Sequence, residues 1–290
     1  MGFNSVQDAL NLVNTSACQY VVWTKLAPSA NTANLVFSLF KGSGILPVQN
    51  DSGGTYPAIG KTATILSQSH SGAISFGLPY TGSSNHLIGM LLSATVSING
   101  YCMLVDRIVH CQLNLSETNG NFTGFSAVDR LNPTGTFGSG AQIWCEVSEN
   151  FSNTVSQFYF TYTNQDGTGS RITPLITTIP SATLGNSITP TSGAYIALQG
   201  ADSGVRSIES ITFVSGSSVA TGKYTVALVK PIVTSPMYNF GLVSNVTHDY
   251  LTQLPCPEKI HDDAYLSWLV WSVNSAANMI LWGTLQILCG

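Results

Sequence analysis

Apolar residues return along the chain in short runs, broken by clusters of Gly, Ser, Asn and Pro. At the start, Val6, Leu10 and Val13 recur at helical spacing. Ser5 stands where an N-cap belongs, and Asp8 falls in the first turn, where the helix dipole favours a carboxylate. The pattern predicts a helix of about 10 residues. It weakens at Asn14-Thr15-Ser16, and the β-branched and aromatic run at 20–24 predicts a strand. Further strands are expected at 35–39, 73–78, 86–98, 101–109, 142–147, 154–163, 194–198, 208–214 and 224–229. Asn99-Gly100 has the chemistry of a hairpin turn. Asp166-Gly167, the 200–204 segment and Gly42-Ser43-Gly44 read as further turns. Strands do not alternate with long helices, so a parallel α/β fold is not expected. The expected fold is mainly β, an antiparallel sandwich or barrel-like architecture with one short N-terminal helix.

A Pro- and Gly-rich connection at 133–140 suggests an N-terminal region, 1–132, and a strand-dense C-terminal region, 141–290, with a single interleaved domain as the alternative. The triplet Val-Asp-Arg occurs at 105–107 and again at 128–130, which is too short to count as a repeat.

Composition narrows the partners. Among 290 residues there are 10 basic and 14 acidic side chains, 8% charged, against roughly 25% in an average soluble domain. Ser and Thr together number 64. A net charge of −4 with scattered Lys and Arg argues against electrostatic nucleic-acid binding. A surface so poor in charge keeps monomers apart badly, which points to subunit contacts; a secreted β protein with a hydroxyl-rich exterior is the plainer reading. The first residues lack a basic n-region and an apolar h-region, so a signal peptide is not expected, and Val6 breaks the myristoylation pattern. The near-apolar stretches at 265–273 and 279–289 fall short of the ~18–20 residues of a membrane helix. Cys18, Cys102, Cys111, Cys145, Cys256 and Cys289 form no CxxC and are expected to be reduced. Asn14, Asn114, Asn121, Asn150 and Asn245 each open an N-x-S/T triplet, as chance provides in a chain of this composition.

Motifs with chemistry are sparse. GxSxG, P-loop and GxGxxG patterns are absent. His110-Cys111 with Cys102 offers soft ligands but no fourth at a zinc spacing. His248-Asp249 and His261-Asp262-Asp263 are the densest ionisable cluster; a carboxylate-oriented His or a cation on Asp262 and Asp263 is weighed there against a polar turn, and the turn is preferred. Trp268, Trp271 and Trp282 suggest a sugar platform, but residues three apart on a strand face opposite ways, so core and subunit contact are the better reading. No catalytic, cofactor-binding or metal-ligating residue is assigned, and no enzyme is expected.

Seven stretches, in order, carry a resemblance: Met1-Gly2-Phe3 with the amphipathic segment after it, then 101–108, 162–167, 200–208, 228–232, Gln253-Leu254-Pro255 and 263–269. Together they resemble a family of virion structural proteins of tailed bacteriophages, over nearly the whole chain. The family's turn near residue 200 reads Gly-Asp, where this chain has Gly200-Ala201-Asp202. The resemblance implies a non-catalytic virion component that assembles in the host cytoplasm, needs no cofactor, and contacts itself and another virion protein such as the major capsid protein, without touching nucleic acid or membrane. A homotrimeric capsid decoration (cement) protein is the leading expectation; a tail tube, baseplate or fibre protein is the second. The alternative from a different class is a carbohydrate-binding or carbohydrate-cleaving β-sandwich. Its paired carboxylates would come from Glu117, Asp129, Glu146, Glu149, Asp166 and Asp202, with Glu146 on an alternating strand as the candidate acid.

Overall fold

The computed structural model describes residues 6–28, 32–45, 59–77, 84–96, 99–127, 130, 138–189, 194–215, 221–237, 244–249, 258–274 and 279–289. The protein is mainly β, as its short apolar runs predict, with antiparallel strand pairing and one helix among the described residues. Helix α1 spans Val6–Val13, with Asp8 in its first turn. Its buried side is not the expected stripe. Ala9, Leu12 and Val13 meet the protein, whereas Leu10 is exposed.

The first sheet is built from β1 (Cys18–Leu26), β4 (Asn85–Ala94), β13 (Ser244–Asp249), β14 (Glu258–Ile260) and β16 (Ile280–Cys289). Its order is β1-β16-β4-β13, with β14 also on β4, so β1 is an edge. On β4, Ile88 is an extra residue between the Leu87–Ile287 and Gly89–Gln286 pairs. This bulge turns Ile88 outward beside Leu288, and α1 covers both. The turn expected at Gly42-Ser43-Gly44 falls just before it, at residues 40–41, where the Gly42 amide donates to the Leu39 carbonyl; 42–44 instead lies along β1, with the Leu26 amide donating to the Ser43 carbonyl and no space for a Cβ at Gly44 beside the Thr24 carbonyl oxygen.

The second sheet runs β2 (Val36–Ser38), β15 (Leu266–Ser272), β5 (Gly100–Asn114), β12 (Lys223–Met237) and β7 (Gln142–Glu149), with β3 (Thr64–Ile65) also on β5. It closes on itself. Amides of Val147 and Ser187 donate to the carbonyls of Asn186 and Val36, and amides of Ser38 and Gly185 donate to those of Gly185 and Val147. The segment 185–188 thereby joins β7 to β2 and completes a barrel. Strands β5 and β7 are buried on both faces along most of their length, as a barrel wall covered from outside must be.

The third sheet has β8 (Gln157–Asn164) paired with β11 (Val205–Ser215), which carries β6 (Gly120–Asn121). On its other side β8 pairs with β9 (Arg171–Ile172) and β10 (Ile176–Thr177). Strand β8 shows strict alternation of burial, with Phe158, Phe160 and Tyr162 inward. Asp166-Gly167 makes the expected turn after it, with Gly167 at φ +83°, a conformation open to glycine at little cost.

Both flanking sheets pack on the outer wall of the barrel, at different heights. Val109, Cys111, Leu113, Val226 and Leu228 meet the third sheet; Cys102, Leu104, Leu266, Trp268 and Val270 meet the first. Three expectations fail. Residues 73–77 form no strand although Ile74 and Phe76 are buried, because side chains take the backbone donors: Phe76 N–H on Gln68 Oε1 and Gly77 N–H on Gln19 Oε1. Residues 194–198 form no strand; Ile196 N–H makes a single bond to the Ile143 carbonyl. Asn99-Gly100 closes no hairpin, since β4 and β5 belong to different sheets. The 133–137 stretch of the expected connection lies outside the described residues.

Candidate functional site

Thr225, Ala227 and Val229 of β12 and the even-numbered residues of β7 point into the barrel, so its wall delivers polar side chains to an enclosed space. Thr225 pairs with both Gln112 and Glu146, and Ala227 with both His110 and Trp144. Arg107 reaches the same level because Ile108 is an extra residue between the Val229–Arg107 and Leu228–Val109 pairs. Arg107 and Glu146 are each 1% exposed and form an ion pair, Nη1 to Oε1, at 2.9 Å. Trp144 Nε1 donates to the second oxygen of Glu146 at 2.8 Å. Arg107 Nε donates to His110 Nδ1 at 3.3 Å, and the guanidinium carbon lies 3.8 Å from the centroid of the Phe40 ring. Gln112 Nε2 donates to Ser148 Oγ, and Lys41 Nζ to the Ser148 carbonyl.

The electrostatics follow from burial. Desolvation, with Arg107 and His70 adding repulsion, holds the His110 ring well below the usual imidazole range, so it is neutral. Burial lowers Lys41 to about 8, against the attraction of Glu146 and Glu149. Outside the barrel, Asp106 accepts from Arg130 Nη1 at 3.1 Å and from the Tyr265 amide at 2.9 Å. Burial raises its carboxyl even against these partners. The Asp of the first Val-Asp-Arg triplet thus meets the Arg of the second.

Glu146, the candidate acid on an alternating strand, is buried. It neutralises an arginine inside the protein. The other described carboxylates of the carbohydrate reading do not converge on it. Glu117 pairs with Lys61 and Glu149 with Lys223. Asp202 accepts from Tyr162, Asn164 and Arg171, and Asp166 from Gln165. Asp129 lies outside the described residues. His110 and Cys111 point to opposite sides of β5, His110 into the barrel and Cys111 toward the third sheet, while Cys102 faces the first sheet. These three do not share a site. All five described cysteines are free thiols; Cys256 lies outside the described residues.

In the cluster at 261–263, His261 Nδ1 accepts from the Asp263 amide, the His261 carbonyl accepts from the Ala264 amide, and the Asp262 carbonyl accepts from Gln68. These are the bonds of a polar turn. His248 and Asp249 lie on β13, paired with Met90 and Gly89; their side chains lie outside what is described. The tryptophans separate as expected. Trp268 is buried between barrel and first sheet, Trp271 stacks on Tyr101 at 5.2 Å, and Trp282 is half-buried on the first sheet. The Arg107–Glu146 pair was not anticipated, although its signal was visible as charged residues inside otherwise apolar strands.

A second feature lies on the outer face of the first sheet. Tyr20 and Val22 on edge strand β1 are each 62% exposed, and Leu91 is 41% exposed. Val22 pairs with Thr284, and Thr284 with Leu91, so an uncharged row crosses the sheet.

These features define a barrel-centred antiparallel β protein with a buried ionic core and an apolar outer face. No family model matches the chain, and no curated protein matches it. Among solved structures, VP2 of infectious bursal disease virus aligns in its subviral particle with 9% identity, over 93% of this chain and 80% of that chain, at a TM-score of 0.17. The Gt strain of the same virus aligns with 9% identity, over 94% and 80%, at 0.18. Scores this low carry no argument about fold or function. Among the described residues no helix is long and apolar enough to cross a membrane.

Proposed function

We propose that the protein is a non-enzymatic structural component of a tailed-bacteriophage virion: a capsid decoration protein that stabilises the head shell as a homotrimer seated on the major capsid protein. The observation that carries this reading is the outer face of the first sheet. Apolar side chains at 62% exposure on an edge strand are an aggregation liability on a free monomer and an asset where another protein covers them. The low charge of the chain and the ordered resemblance to tailed-phage virion proteins support it further. Recognition rests on shape, strand edges and neutral hydrogen bonds, because exposed ion pairs contribute only ~0–1 kcal/mol each.

The test is to wash purified particles in low and then molar sodium chloride and to locate the protein by labelled antibody. Retention on the head through the salt step is expected. Release by salt alone would overturn the neutral-contact reading; retention on the tail would move the protein to a tail component.

A further inference from the structure

We propose that the turns at 67–70 and 261–264 form an acid-sensitive latch, which holds residues 67–77 against the protein only while His70 and His261 are uncharged. The latch is independent of the virion reading. Both turns use their histidine in the same way. The Asp263 amide donates to His261 Nδ1 at 3.1 Å, and the Ser67 amide donates to His70 Nδ1 at 3.1 Å. A backbone N–H can only donate, so each Nδ1 presents its lone pair and the ring proton sits on Nε2. An imidazolium carries a proton on both nitrogens. Charging either ring therefore sets N–H against N–H and removes the bond that shapes its turn.

The two turns are joined, and residues 67–77 hang on the junction. Gln68 Nε2 donates to the Asp262 carbonyl, and Gln68 Oε1 accepts from the Phe76 amide at 3.0 Å. The Tyr265 hydroxyl donates to the Ser71 carbonyl at 2.8 Å. Residues 73–77 form no strand, so side-chain bonds of this kind, with the burial of Ile74 and Phe76, hold the segment in place. The groups facing the two rings differ. His261 adjoins Asp262 and Asp263 in the chain and lies within electrostatic reach of Asp106, which pairs with Arg130. A charged His261 has these carboxylates to turn toward, away from the Asp263 amide. His70 meets the Tyr265 ring edge to face, with centroids 6.4 Å apart, and lies within electrostatic reach of the neutral His110. The Ser67 hydroxyl lies 3.1 Å from His70 Nδ1 and the Ser67 carbonyl oxygen 3.3 Å, so a charged His70 keeps an acceptor nearby. His261 is therefore the trigger of the latch and His70 the follower.

Amide hydrogen exchange on the full chain tests the latch, with each rate corrected for the intrinsic pH dependence of exchange. The comparison is between about pH 8 and about pH 5, the interval in which histidine side chains change charge. Protection of the Ser67 and Asp263 amides and of residues 73–77 should fall about threefold to tenfold at the lower pH, the change that loss of one or two hydrogen bonds brings. His70→Asn and His261→Asn supply the control, because an asparagine oxygen can accept the same amide bond and does not titrate. The double variant should hold the same protection at both pH values. Equal protection at both pH values in the wild-type chain overturns the proposal. So does a pH response that survives in H70N/H261N, which would place it on Asp106 instead.

Discussion

The indole rings of Trp23 and Trp268 stack with centroids 4.8 Å apart and planes inclined by 26°. Trp23 comes from the edge strand of the first sheet and Trp268 from the barrel wall, and both are essentially buried. Nearly the whole length of the chain separates them, so this contact ties the two ends of the sequence together.

Removing either ring should therefore be costly. Trp23→Ala and Trp268→Ala are each expected to lose about 3–5 kcal/mol of unfolding free energy. The double variant should lose less than the sum, because the second truncation removes a contact already gone. Urea unfolding of the three variants checks both statements.

The ion pair inside the barrel makes an asymmetric prediction. Glu146→Ala leaves the Arg107 guanidinium buried and unneutralised, which should cost about 3–5 kcal/mol. Replacing both partners with methionine removes the charges together and should recover most of that loss. Denaturation midpoints of E146A and of the double variant decide it.

Lys25 is 2% exposed, and its ammonium donates to the Gly42 carbonyl at 3.1 Å. Burial lowers it to about 7, from a value near ~10.4 in the unfolded chain. Between these values the unfolded state binds more protons, so stability should rise as pH increases from about 7 toward 10. Lys41, lowered to about 8, acts with the same sign. Lys25→Met should remove nearly all of the rise between about pH 7 and 8 and about half of it from 8 to 10, where the Lys41 slope remains, as read from thermal unfolding across that range.

Asp202 behaves oppositely. Arg171, with Asn164 and Tyr162, holds its carboxyl at about 2, below the ~3.9 of an unfolded chain. Its contribution is complete above about pH 4 and is lost as pH falls toward 2. Asp202→Asn should make the third sheet insensitive to that acid step, which near-ultraviolet circular dichroism or amide exchange at residues 162–172 will report.

On the outer face, Tyr20→Lys and Val22→Lys place charge where the proposed subunit contact lies. Light scattering should show the wild-type chain as a multimer, with the double variant shifted toward monomer at unchanged secondary structure. A wild-type monomer at micromolar concentration would contradict the self-association proposed above.

Much of the architecture was legible beforehand. The alternation Phe158, Phe160, Tyr162 could be read directly because a strand covered on one side repeats every two residues. Helix α1 was legible in place but not in facing. Leu10 looked like part of the stripe, yet the bulge at Ile88 created a landing site that Ala9, Leu12 and Val13 meet instead. The strands expected at 73–78 and 194–198 failed because apolar content shows that a segment is buried, not which donor its amides find.

What the sequence determined by itself is local. Short apolar runs, turn residues with tolerance for positive φ and a near absence of charge make a β protein with neutral surfaces. The tertiary structure alone decided that residues 185–188 close a sheet into a barrel, because the bonds of Gly185 and Ser187 join β2 and β7, strands about a hundred residues apart in the chain. It alone decided that Arg107 and Glu146 meet. Each lies in an otherwise apolar run, and only the register of β12 between β5 and β7, set by the extra residue Ile108, brings the two side chains within 2.9 Å. Local pattern fixes which face of a strand a residue occupies; distance across a barrel depends on pairings that no neighbouring residue encodes.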